Sequence, residues 1–164
     1  MSLPIGNSQD EVMAMIEAEV SQEGVMVLMQ RQPSSAGVVR NWVVTVGMLR
    51  FGLPEIIIFA VDPEVITKVV SFLIAEVSSG TVPAHLGVLP EEYFSPQVYA
   101  DLVKGPLVDH YGLVIKDYYE LKGWGAPKVA QWVVADYEGR FPWNENFDPE
   151  LRDHQVLLFE GLTA

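Results

Sequence analysis

The chain has 164 residues, of which 49% are hydrophobic and 20% charged, with a mean hydropathy of +0.20. A chain this long buries about 70% of its unfolded surface in one core, and the composition excludes a disordered polymer. With no cysteine it has no disulfide scaffold, thiolate catalysis or cysteine-held metal, and a net charge of −12 disfavours nucleic acid and anionic lipid as partners.

A capping box opens the first predicted element. Ser8-Gln9-Asp10-Glu11 offers a hydroxyl at the N-cap and a carboxylate three residues on. Val12, Met13, Ile16 and Val20 recur near the helical period, and Gly24 stands where a left-handed C-cap is wanted. The spacing predicts a helix over residues 9–23. Val25 to Met29 is short, apolar and β-compatible, and Gln32 to Gly37 has the composition of a loop. Asn41 to Val46 is β-branched and aromatic, as strands prefer, and Gly47 ends it. Ile56 to Val61 is an uninterrupted apolar run, which suggests a strand covered on both faces. The link from Gly47 to Glu55 is short enough for an antiparallel pair.

Asp62 as N-cap, Pro63 at N1 and Glu64 in the first turn announce a second helix. Its wide stripe of Val65, Ile66, Val69, Val70, Leu73, Ile74 and Val77 requires a sheet beneath it, and Ser78-Ser79-Gly80 stops it. Thr81 to Pro96 reads as a long loop with short extended pieces. Val98 to Val103 is a weakly alternating strand. Asp109 to Lys122 reads as a third helix, weakened by Gly112. Val129 to Asp136 alternates as a strand, Glu138 to Asp148 is irregular and aromatic, and Gln155 to Phe159 is a final strand candidate. This order predicts one α+β domain over residues 1–164, with residues 1–7 loosely ordered. Its sheet is mixed and mostly antiparallel, packed by two or three helices. A doubly wound fold is the alternative.

Two segments resemble a known family. One is Trp42-Val43-Val44-Thr45-Val46-Gly47 followed by Phe51-Gly52-Leu53-Pro54-Glu55-Ile56-Ile57-Ile58-Phe59. The other is Val129 to Asp136 leading into Gly139-Arg140-Phe141-Pro142-Trp143, with Phe147-Asp148 beyond. Together they resemble the bacterial domain-of-unknown-function family 4262, in order from about residue 20 to 158. The resemblance implies a family and no particular reaction, cofactor or partner. Relatives often carry histidines between Gly47 and Pro54, where this chain has Met48, Leu49, Arg50 and Phe51.

No spacing of His85, His110 and His154 matches a metal motif, so neither a metal nor a cofactor is expected. A nucleophile elbow and a phosphate-binding glycine loop are also missing. A flavin-binding β-domain is suggested only by the β-rich order and the arginines. The stretch from Gly24 to Pro54 holds Arg31, Arg40 and Arg50 and no acid. Those arginines either pair with the acids elsewhere or form an anion site. The block from Asp136 to Trp143 sets an arginine beside flat rings, which suits a planar or anionic ligand. The candidate ligand-binding residues are therefore Thr45, Arg50, Asp136, Arg140 and Trp143, expected to meet at one end of the scaffold. The aromatic run Tyr93, Phe94, Tyr99, Tyr118, Tyr119 and Trp124 suggests surface for a homodimer.

No apolar run reaches the roughly 18 residues of a membrane helix, and the Met-Ser-Leu-Pro start lacks a basic leader region. The expectation is a cytoplasmic, non-catalytic module binding a small ligand or a protein. The alternative is an enzyme acting on a small anionic or aromatic soluble substrate.

Overall fold

Local sequence signals produce most of the elements. In a computed structural model, which describes residues 8–33, 37, 39–80, 87–88 and 97–158, helix α1 (Gln9–Glu23) starts on the complete Ser8/Glu11 capping box. It ends on Gly24 in the left-handed conformation. Helix α2 (Pro63–Ser78) starts with the Asp62 carboxylate accepting from the Glu64 N–H at 2.9 Å.

Among the described residues six strands form one sheet in the order β1-β2-β3-β6-β5-β4. They are β1 (Met26–Pro33), β2 (Val39–Val46), β3 (Glu55–Phe59), β4 (Gly87–Val88), β5 (Val98–Val103) and β6 (Val129–Val134). Among the described pairings only β3–β6 is parallel, with Glu55 opposite Val129 and Ile58 opposite Trp132. The sheet is thus mixed and mostly antiparallel, and the chain is of the α+β class. Three further helices are α3 (Pro106–Tyr111), α4 (Leu113–Lys122) and α5 (Pro149–Arg152). No helix among the described residues is long and apolar enough to cross a membrane.

The central strands are buried on both faces, as the apolar run at Ile56 predicts. On one face Ile16, Val44, Ile57, Ile115 and Tyr118 pack together under α1, α3 and α4. On the other, Ile58, Ile66, Val70, Leu73 and Trp132 pack under α2. The period of two along β3 and β6 sends alternate side chains to the two layers.

Four local expectations require correction. Gln32 and Pro33 belong to β1, not to a loop. They stay in register with Arg40 and Val39 because β1 is an outer strand, where proline is tolerated. The third helix is two helices, breaking at Gly112, and its first part begins at Pro106. A Cβ at Gly112 would stand 2.9 Å from the Val108 carbonyl oxygen and 3.3 Å from Ile57 Cδ1, so the helix pair meets the sheet there without a side chain. β6 stops at Val134, two residues short of Asp136. Residues 155–158 form no strand. The Gln131 side chain holds them instead, donating to the Val156 carbonyl and accepting from the Leu158 N–H. Phe159, most of the loop predicted over 81–96, and the Tyr93, Phe94 and His85 positions lie outside the described residues.

Gly47 ends β2 at φ 112°, and a Cβ there would stand 2.5 Å from the Gly24 carbonyl oxygen. This contact seats the 3-10 turn Met48–Phe51 against the end of α1, where the Arg50 guanidinium donates to the Val20 carbonyl at 2.9 Å. Gly47→Ala combines backbone strain with a backbone clash, so it should lower unfolding free energy by about 2–4 kcal/mol. Denaturant titration of the purified variant checks this.

Candidate functional site

At the start of β3, where it opposes the start of β6, Glu55 is fully buried. Its carboxylate accepts four hydrogen bonds. The Thr45 hydroxyl donates to one oxygen at 2.7 Å. The other oxygen takes the Tyr119 hydroxyl at 2.7 Å, the Gly47 N–H at 2.8 Å and the Met48 N–H at 2.9 Å. Thr45 Oγ1 in turn accepts from the Ile56 N–H at 2.8 Å, just past the last paired residues of the β2–β3 ladder. Desolvation pushes the Glu55 carboxyl up to about 7 even against these donors. Burial and the facing carboxylate also raise the Tyr119 hydroxyl. The neighbouring Tyr118 hydroxyl bonds Glu17, which also takes the Lys122 ammonium at 3.1 Å, and these donors hold Glu17 below the usual carboxylate range.

The other predicted group lies past the end of β6. Asp136 is 2% exposed. It accepts from the N–H groups of Glu138, Arg140 and Asp148 and from Arg140 Nε at 3.0 Å. Burial pushes the Asp136 carboxyl up, and these donors more than offset it, holding it below the usual range. Phe141 and Trp143 stack with centroids 4.8 Å apart, and Tyr99 meets both edge-on. Arg152 ties the bend together by donating to the Pro142 and Asn144 carbonyls.

The five candidate residues therefore do not form one site. Thr45 and Arg50 lie at the Glu55 end. Asp136, Arg140 and Trp143 lie at the opposite end, because β3 and β6 are parallel and Asp136 follows Val129 by seven residues. At the rise of a strand this is roughly 20 Å. Nor do the arginines chiefly seek carboxylates. Arg40, Arg50 and Arg152 donate to backbone carbonyls, and Arg140 alone makes a carboxylate ion pair among the described residues. In the aromatic run, Tyr118 and Tyr119 are core residues, 0% and 2% exposed, not surface.

Sequence reasoning missed a cleft of about 400 Å³ between the end of β5, the α3–α4 pair and the turn before β6. Val103, Val108, Val129 and Pro127 make its apolar lining. Lys104, Asp109, Lys116 and Glu120 are the charged residues around it, all exposed. Neither lysine is ion-paired within 4.0 Å among the described residues. Gly112, Lys116 and Glu120 recur every fourth residue, so α4 turns one face to the cleft. That spacing is the signal available in the sequence. Tyr119, between Lys116 and Glu120 on the same helix, bonds Glu55, so this wall of the cleft is pinned to the sheet. Among the described residues no three His, Cys, Asp or Glu side chains gather as a metal site.

Because folding raises the Glu55 carboxyl from 4.5 to about 7, the folded state binds the extra proton between those values. Its contribution to stability is full below pH 4.5 and declines as pH rises through 7, by about 3 kcal/mol in all. Asp136 and Glu17, both lowered, act in the opposite sense and only at more acid pH. Urea unfolding at pH 5, 6, 7 and 8 should show stability falling across this range in the wild type and a flat profile in Glu55→Gln. A slope surviving in the variant would assign it to other groups.

No curated protein and no solved structure matches the chain. The model of a domain of unknown function (DUF4262) matches residues 19–148. That span holds all six strands, Glu55, Asp136 and the whole cleft. The chain belongs to the DUF4262 family.

Proposed function

We propose that this domain is a non-catalytic module that binds a small soluble ligand, seated in the cleft between β5, α3, α4 and the turn before β6. The cleft itself carries this reading. Its volume of about 400 Å³ falls at the small end of the range usual for ligand sites. It combines an apolar lining with charged groups, and its α4 wall is held by a buried hydrogen bond to the sheet. The two buried carboxylates, Glu55 and Asp136, are each occupied by four donors and act as structural pins.

Ala126 lines the cleft from an exposed position in the turn, so Ala126→Phe should fill it with little effect on folding. Small amines, carboxylates and amino acids should shift amide resonances within residues 103–129 of the wild type. In Ala126→Phe these shifts should vanish while the melting temperature stays within about 3 °C. Shifts elsewhere, or none, would remove the reading. Steady conversion of a bound compound in the same samples would favour the enzyme alternative.

A second reading rests on Arg140. Its side chain is 39% exposed and bonds Asp136 through Nε, with no bond from its outer nitrogens among the described residues. A planar anion could meet that guanidinium. Benzoate should then quench Trp143 fluorescence in the wild type and not in Arg140→Gln. An unchanged signal in both leaves the cleft as the better seat.

A further inference from the structure

We infer that the ligand of the cleft is a small aliphatic zwitterion, of the class of a free α-amino acid with a branched hydrocarbon side chain. This rests on the cleft being a ligand seat and goes further by assigning the chemistry it selects. The charges around the cleft carry the inference. In a chain of net charge −12, the described lining residues carry two ammonium groups and two carboxylates, so this lining is locally neutral. The charges come from three different elements of the lining. Lys104 follows β5, Asp109 lies on α3, and Lys116 and Glu120 lie one turn apart on α4.

Opposite charges this placed would be expected to pair. Lys116 and Glu120 have the i, i+4 spacing that favours an ion pair. Yet the ion pairs within 4.0 Å among the described residues are Lys122–Glu17 and Arg140–Asp136. The four groups at the cleft are thus available to a ligand. A dianion gains from the two lysines and loses to Asp109 and Glu120, and a dication meets the converse. A molecule bearing one charge of each sign finds a partner of opposite sign for each of its ends. The apolar lining selects the rest of the molecule. Val103, Val108, Val129 and Pro127 present aliphatic surface, and no aromatic ring among the described residues lines the cleft, so a stacking ligand finds no platform in this lining.

The test is isothermal titration of the full chain at pH 7 with three probes of similar hydrocarbon: L-leucine, isovalerate and isobutylamine. Resonance shifts locate each binding site. L-Leucine should bind at residues 103–129 at least tenfold more tightly than either single-charge probe. Lys104→Gln with Lys116→Gln should remove most of that advantage and leave isobutylamine binding no weaker than in the wild type. Isovalerate or isobutylamine binding the cleft as tightly as L-leucine would overturn the zwitterion inference and leave the cleft as a ligand seat. L-Leucine binding equally well in the double variant would also overturn it. No shift at the cleft with any of the three probes, in a protein whose Ala126→Phe variant is equally silent, would overturn both.

Discussion

The Glu55 carboxylate is buried where four separate pieces of chain converge. It collects a hydroxyl from β2, a phenol from α4 and two N–H groups from the 3-10 turn, while its own backbone opens the central strand. A carboxylate without these donors would be a severe liability in such a place. With them it orients β2, the turn after it and α4 at once, because each donor must arrive from a fixed direction. The rest of the architecture depends on that convergence. The turn it organises touches the end of α1 through Gly47 and Arg50, and the helix it holds forms one wall of the cleft.

The opposite end of the sheet repeats the device with a different balance. Asp136 is as buried as Glu55, but three of its donors are backbone N–H groups and the fourth is a guanidinium. Three backbone N–H donors, with the Arg140 side chain adding to them, outweigh desolvation there and favour the ionised group. At Glu55 two hydroxyls and two N–H groups do not offset desolvation, and burial dominates. Two acids in one fold are thus driven in opposite directions by how the cost of burial compares with the donors each receives. Both consolidate the ends of the sheet.

The candidate site was only partly legible. Thr45 and Asp136 do occupy buried polar positions with several partners, as unusual polar residues beside apolar strands suggest. Their membership of a common pocket was not legible, because distance across a sheet depends on which strands pair and in which sense. The parallel β3–β6 pairing sends the two groups apart. Glu55 carried a signal that went unread: a lone acid at the head of an apolar strand must find donors somewhere. The cleft charges carried almost none, since lysines and acids at helical spacing are common on any exposed face.

Elements with local causes were settled by the sequence alone. The capping box of α1, the Asp62–Pro63 start of α2, the apolar run of β3 and the alternation of β6 each act within a few residues, where backbone geometry and side-chain chemistry are already sufficient. The α+β class followed from their order. Tertiary structure alone decided the break at Gly112, the return of residues 155–158 along the Gln131 side chain and the separation of Thr45 from Arg140. Each of these depends on what approaches from a distant part of the chain. Local propensity contains no term for such an approach, so the cleft and its charges came into being only when the sheet and the α3–α4 pair met.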